Sequence, residues 1–322
     1  MSCWPAPSTR MLAIRPTPFD NGGRLRPVAS VDSRPAPSRA SQDRIMSKRL
    51  PTGMHECQHE FIRLIRENSR RHRLHEVFRD FCEMAALAIS NSVDRHQYEA
   101  REARYMQIIK RYERDEISRF PAMLSVMTEG LAATPHDFLG AVFMALELFD
   151  NWKGQFFTPI ELSRLVTRLN CGPLDAWRKV QEEGGFFSMH EPAVGAGSMV
   201  IAFADMLMEE GINYQQVMHV EAWDVDETAA LMAYIQFSLL HIPAVIVQGN
   251  TLTLKQWGKW YTPAHILGGW SRRLAARQRA ETVDNPVVLL PAPENDVLAP
   301  CLATVAEPVL CLIPPREQLA LF

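Results

Sequence analysis

The feature that most constrains the fold is a glycine-containing turn between an apolar run at 186–192 and a helical pattern at 198–209. The turn reads Glu191-Pro192-Ala193-Val194-Gly195-Ala196-Gly197-Ser198. Further strands are predicted at 217–224 and 243–249, and further helices at 159–169 and 226–240. This alternation predicts an α/β fold with a parallel sheet covered by helices on both faces. Right-handed crossovers would gather the loops after the strands at one edge, where ligands bind.

The glycine turn is the strongest local signal for a ligand. Gly195 and Gly197 let the backbone approach a bound molecule closely, and the following helix N-terminus offers N–H donors. The third glycine of the G-x-G-x-x-G dinucleotide fingerprint is missing, so a dinucleotide site is not indicated. If residues 191–198 are considered without the other motifs, a tight strand-to-helix turn that binds no ligand is the alternative.

Polar residues follow the other two predicted strands. Asp224 ends the second strand, where a carboxylate can accept hydrogen bonds from a ribose diol, and a simple solvated carboxylate is the alternative. Asp226 is predicted to cap the next helix. Asn250 follows the third strand, where its amide can pair with an adenine edge, and a turn-forming Gly-Asn pair is the alternative.

A further candidate segment precedes the first predicted strand. Thr158 to Glu161 has the pattern of a capping box with Pro159 at the first helical position. That pattern does not explain the two aromatic residues Phe156 and Phe157 before it. We therefore expect these rings to cover a cofactor.

The rest of the chain is divided by composition. Residues 1–54 are rich in Pro, Ser and Arg and are predicted to be disordered. Residues 55–150 are predicted to form a helical domain, with one helix at about 96–118 and another starting near Pro135. Its first helices carry several arginines interleaved with acidic residues, which is typical of a solvated face, although phosphate binding is the alternative. Residues 151–322 would form the α/β domain with a Pro-rich C-terminal segment, in which Val287–Leu290 and Val309–Ile313 are possible strands.

Composition limits the possible partners. The net charge is −3, whereas a protein that grips DNA alone usually carries a basic face. Any DNA contact should therefore come from local patches or from a partner. The six cysteines lack paired spacing, and the cluster of His55, Cys57 and His59 is interpreted as a solvated helix start, so no metal site is expected. No apolar run has transmembrane length and no signal peptide is evident, so we expect a cytoplasmic protein.

Taken together, the motifs over about 135–255 resemble those of the methylation subunit of type I restriction–modification systems, a DNA adenine-N6 methyltransferase family. The resemblance implies a Rossmann-like S-adenosylmethionine-dependent methyltransferase fold behind a helical domain. It also implies DNA as substrate and a separate specificity subunit, since little chain remains for a target-recognition domain. The residues that it assigns to the cofactor are Phe157, Thr158 and Pro159 at the methionine end, Glu191, Pro192, Gly195 and Gly197 around it, Asp224 on the ribose, and Asn250, where the family usually has Asp, near the adenine.

The family's catalytic N/D-P-P-[FYW] motif is missing from the sequence. In the family this motif binds the target amino group and stacks on the flipped base. Weak replacement candidates are Tyr261 and Asn285, and Trp270 is a further aromatic that could stack on a base. The missing motif favours an alternative, a non-catalytic S-adenosylmethionine- and DNA-binding protein of a mobile element that acts through a partner. A methyltransferase for RNA or protein is a second alternative.

Overall fold

The computed structural model describes residues 54–148 and 157–284, with side chains up to residue 280. A four-stranded sheet in the order β1-β2-β3-β4 organises the C-terminal half. Its strands are β1 (Phe187–Glu191), β2 (Met218–Asp224), β3 (Ala244–Asn250) and β4 (Lys255–Tyr261). The first three strands are parallel, and β4 runs antiparallel to β3. The α/β class and the three predicted strands are confirmed.

Twelve helices are found in the described residues. The first five, which precede the sheet, are α1 (Glu56–Asn68), α2 (Leu74–Val93), α3 (Tyr98–Ile109), α4 (Arg114–Ala133) and α5 (Phe138–Ala145). The next two are α6 (Ile160–Asn170) and α7 (Leu174–Glu182). The crossovers use α8 (Ser198–Glu209), α9 (Tyr214–Val217) and α10 (Glu227–Leu239), and α11 (Pro263–Leu267) and α12 (Trp270–Asp284) follow the sheet.

One hydrophobic core runs from the preceding helices into the sheet. It joins residues of α1–α5 to α8, α10 and one face of β1–β3. The packed face of the sheet is built from small and branched residues, Val220, Ala222, Ala244 and Ile246, all fully buried. Helix α10 contacts β2 and β3 on one side and α2 and α5 on the other, so it is buried nearly all round. The helical segment therefore forms a layer over this face, and the domain boundary near residue 150 stays a prediction.

The opposite face of the sheet corrects one expectation. Ser188 and His190 of β1 pair in register with His219 and Glu221 of β2, so these four side chains share a face. Ser188, His190 and Glu221 are exposed. In the part of the chain that the structure describes, the middle of this face is therefore not covered by a helix. His219 is buried against His265 of α11 and Trp270 of α12, so helices cover part of this face. The prediction of helices on both faces was wrong only over Ser188, His190 and Glu221, whose polar side chains favour contact with water.

Two predicted helix details were also wrong. The predicted helix at 96–118 is two helices, because the chain turns at Tyr112, whose hydroxyl donates a 2.7 Å hydrogen bond to the buried Asp80 carboxylate. The capping box at Thr158 does not form, because α6 begins at Ile160 with Pro159 as its N-cap and no side-chain cap bond. Strand β4, helix α7 and helix α12 were not predicted.

Several sequence-based predictions lie outside the described residues. These are the N-terminal segment up to residue 53, Phe156, Asn285 and the two apolar runs after residue 286. Within the described ranges, none of the helices combines the length and the apolar character that a membrane span requires.

Candidate functional site

The glycine turn connects β1 to α8 at the carboxyl edge of the parallel strands. Gly195 and Gly197 both have positive φ, 56° and 101°, which side chains with a Cβ adopt only at a cost. The turn is fixed by backbone hydrogen bonds of 2.8 Å from the Val194 amide to the Trp223 carbonyl and from the Gly197 amide to the Val194 carbonyl. A Cβ on Gly197 would lie 2.5 Å from Cε1 of the buried Phe237. Close packing therefore requires this glycine whether or not a ligand is bound.

A buried carboxylate, Glu191, and a half-buried one, Asp224, lie at the same edge. Asp224 accepts hydrogen bonds of 2.8 Å from the Gly195 amide at Oδ2 and from the Asp226 amide at Oδ1. Glu191 accepts a 3.3 Å hydrogen bond from the Ala193 amide at Oε1, while its buried Oε2 has no hydrogen-bond partner in the structure. Burial raises the pKa of both carboxyls, and the charge of Asp224 raises the pKa of Glu191 further. An unpartnered buried acceptor is costly, so Glu191 is well placed to receive a donor from a ligand.

The loop that follows β3 joins the loops that follow β1 and β2. The Thr251 hydroxyl donates a 2.7 Å hydrogen bond to the Pro192 carbonyl. The Asn250 side chain accepts a 3.0 Å hydrogen bond from the Thr253 amide through Oδ1, so it stabilises the turn at the edge of the site. Asp226 caps α10 by accepting from the Ala229 amide at 3.0 Å, as predicted. The loops after all three parallel strands thus converge.

Phe157 closes one side of this loop cluster. A Cβ on Gly195 would lie 3.0 Å from Cδ1 of Phe157, so the ring lies directly against the turn. The ring also packs against Phe143 of α5, with ring centroids 4.9 Å apart. Thr158 and Pro159 follow with exposed side chains. The structure therefore brings Phe157 to the glycine turn, whereas among the described residues no hydrogen bond links Thr158 or Pro159 to that turn.

Sequence reasoning missed a buried polar residue that supports the site. Gln236 of α10 is fully buried and donates hydrogen bonds of 2.7 Å to the Ala196 carbonyl and 2.9 Å to Oδ1 of Asp137. Its own Oε1 accepts a 3.1 Å hydrogen bond from the Leu139 amide. Asp137 caps α5 through the Gly140 amide. A glutamine within an otherwise apolar helix is the sequence signal that could have revealed this link.

The catalytic candidates lie elsewhere. Tyr261 pairs with Val245 near the start of β3, about 16 Å along the strand from Asn250, and thus lies toward the opposite edge of the sheet. Trp270 is only 1% exposed and stacks near His219 with ring centroids 5.3 Å apart, so it cannot meet a base there. Neither is brought to the glycine turn, and Asn285 lies outside the described residues.

Comparisons with known proteins give a family match for the segment that contains the site. Residues 146–267 match the family described as N-6 DNA Methylase. A comparison with curated proteins finds no match. Among solved structures, one similar chain is described as a class I S-adenosylmethionine-dependent methyltransferase from Listeria monocytogenes, with 14% identity and a TM-score of 0.35. The similarity covers 62% of this chain and about half, 55%, of that chain.

Proposed function

Residues 146–267 belong to the N-6 DNA methylase family, and we propose that this chain binds S-adenosylmethionine at the carboxyl edge of β1–β3 and serves adenine-N6 methylation of DNA. By its resemblance to type I methylation subunits, it would work with a separate specificity subunit. The observation that carries this proposal is the convergence of the buried Glu191 and the half-buried Asp224 on the glycine turn, with Oε2 of Glu191 unpartnered.

The residues at this edge fit the chemistry of the cofactor. Asp224 uses one lone pair of each oxygen for a backbone amide, which leaves acceptor capacity for the ribose hydroxyls. Oε2 of Glu191 can accept from a hydroxyl or an ammonium group, and its negative charge suits a cationic ligand. When bound, S-adenosylmethionine supplies an electrophilic methyl group. The chain itself binds and orients this donor, and Phe157 shields it from water.

A non-catalytic binding protein is the second candidate. The missing N/D-P-P-[FYW] motif favours it, as does the position of Tyr261 toward the other edge of the sheet. In this case the cofactor fold would be kept for binding, and a partner would supply the remaining function. An enzyme that methylates RNA or protein would be distinguished from these two candidates by offering RNA and protein as methyl acceptors in the assay.

The sharpest test exchanges Glu191 for Gln. This change keeps the volume and removes the buried charge, but it presents a donor where the ligand needs an acceptor. We expect S-adenosylmethionine binding, measured by titration calorimetry, to weaken about tenfold or more, since hydrogen bonds to charged groups contribute about 1.5–3 kcal/mol. The urea midpoint should stay equal or rise. Glu227→Gln, an exposed carboxylate on α10, is the matched control for loss of charge.

Tritiated-methyl transfer to unmethylated genomic DNA by the same samples separates the candidates. Transfer by the wild type that falls in Glu191→Gln would support the enzyme. Binding without transfer, with the specificity subunit absent and present, would favour the non-catalytic protein. If the wild type does not bind the cofactor, or if Glu191→Gln binds it as tightly as the wild type does, the proposed site is wrong.

A further inference from the structure

Strand β1 is an edge strand among the described residues. It pairs with β2 only, and no described residue outside β2 forms a backbone hydrogen bond with Phe187–Glu191. Alternate residues of a strand direct their backbone N–H and C=O groups to opposite sides. Part of the β1 backbone therefore faces away from β2 without a partner in the described chain. Such an edge is a template for pairing with a further segment.

Helix α12 carries the chain toward this edge. Its first residue, Trp270, packs near His219 of β2, with ring centroids 5.3 Å apart. Arg277, about two turns further along, donates a 3.2 Å hydrogen bond to the carbonyl of Phe186, the residue before β1. The helix thus passes from β2 to β1 at the end of the sheet where these strands begin. Residues 278–284 extend it by about 10 Å, which is about two strand spacings.

The path of α12 agrees with the usual handedness of crossovers. Helices α8 and α10 pack on the sheet face that contains Val220 and Ala222, whereas Trp270 packs on the opposite face with His219. A connection that returns past β1 on this opposite face is right-handed, as are the crossovers that lead from β1 to β3. A strand that follows α12 would therefore lie parallel to β1 on its free side.

Apolar side chains near this edge also lack a cover. Trp177 links the end of α6 to β1, because its indole N–H donates a 2.8 Å hydrogen bond to the Cys171 carbonyl and its ring centroid lies 4.4 Å from that of Phe187. Ser163 of α6 is fully buried and contacts Ser198 of α8. The opposite side of α6 exposes three leucines by 48–74%, namely Leu162, Leu165 and Leu169. Because α6 turns polar residues inward and leucines outward, a further apolar segment is expected there.

We propose that Val287–Leu290 adds a fifth strand to the sheet, parallel to β1 on its free side. The run consists of branched apolar residues, which favour strands. It begins close to the end of α12 at Asp284, where the chain reaches this edge. Pro286 and Pro291 flank it, and prolines are tolerated at the ends of strands. The other apolar run, Val309–Ile313, lies much further along the chain, so α12 does not bring it to this position.

The added strand would enlarge the ligand site. With a neighbour on each side, β1 would lie where the strand order reverses, which is where open α/β sheets bind ligands. Residues 291–295 would follow the new strand at the carboxyl edge, beside Glu191 and the glycine turn. The pairing itself requires no cofactor, so this inference does not depend on the proposed function.

The test is hydrogen–deuterium exchange of the full chain, measured by mass spectrometry on peptides that span Phe187–Glu191 and Val287–Leu290. We expect slow exchange in both peptides of the wild type. Val288→Pro with Leu289→Pro removes two neighbouring amides, one of which must face β1. In this variant the β1 amides that face away from β2 should exchange about tenfold faster or more, because they lose their hydrogen-bond partners.

Leu310→Pro with Cys311→Pro makes the same change in the other apolar run and is the matched control, which should leave the exchange of β1 unchanged. Glu191→Gln should leave the exchange of Val287–Leu290 slow, so failure of the cofactor site is distinguishable from failure of this pairing. Fast exchange of Val287–Leu290 in the wild type, or an unchanged β1 in the Val288 and Leu289 variant, would overturn the inference. So would protection of β1 that is lost in the control variant, or that rises with protein concentration, which would assign the edge to a second copy.

Discussion

Replacing Gly197 by Ala should destabilise the protein through two separate effects. The first is backbone strain, because φ at Gly197 is 101° and an L side chain there costs about 1–2 kcal/mol. The second is steric, because the new Cβ would lie 2.5 Å from Cε1 and 2.8 Å from Cζ of Phe237. Phe237 is fully buried and cannot swing away, and overpacking of this kind costs about 1–3 kcal/mol. We therefore expect the free energy of unfolding to fall by about 2–5 kcal/mol.

Gly172→Ala is the matched control for strain alone. Gly172 also has a positive φ, 67°, but nothing lies within 4 Å of a Cβ built there. Urea unfolding followed by circular dichroism should show a loss of about 1–2 kcal/mol for this variant, with the slope m unchanged in both. In a double-mutant cycle, Phe237→Leu should recover part of the steric loss in Gly197→Ala. Equal losses in the two alanine variants, or no coupling to Phe237, would refute the steric argument.

Two further predictions concern buried polar groups. Burial, with smaller contributions from neighbouring charged groups, lowers the pKa of His219 to about 3 and that of His265 to about 4. Because both pKa values lie below the unfolded-state value of about 6.5, the two neutral rings contribute fully to stability above about pH 6.5. This contribution is lost progressively as the pH falls from about 6.5 towards the folded-state pKa values. The urea midpoint of the wild type should fall as the pH is lowered from 7 to 4, and this decline should be smaller in His219→Gln. A pH profile of His219→Gln that is the same as that of the wild type would contradict this prediction. Gln236→Leu should cost about 2–4 kcal/mol, since it leaves Asp137 and the Ala196 carbonyl without their donor; a thermal midpoint equal to that of the wild type would show that the link is dispensable.

The sequence predicted the parallel part of the sheet well, for a physical reason. Strands β1–β3 are short apolar runs separated by helices, and the glycine turn fixes where the first strand ends. Loops that follow parallel strands must share an edge, so the sequence alone predicts that Glu191, Gly195 and Asp224 lie near one another. The helix cap at Asp226 was likewise predictable, because its hydrogen bond is local.

What could not be predicted depends on distant contacts. Strand β4 mixes lysines, a glycine and aromatic residues, and it becomes a strand by pairing with β3. The break at Tyr112 depends on Asp80, and the role of Gln236 depends on Asp137, both far away in sequence. The position of Tyr261 toward the opposite edge follows from the antiparallel direction of β4, which residue spacing does not reveal.

The buried amide of Gln236 makes the glycine turn and the α5 cap share one set of hydrogen bonds. A ligand that draws the Ala196 carbonyl away from this amide must also alter the surroundings of Asp137. By thermodynamic reciprocity, whatever shifts α5 must then change ligand affinity by the same factor. A change at the N-terminus of α5 would thus alter ligand binding at the glycine turn without touching the ligand.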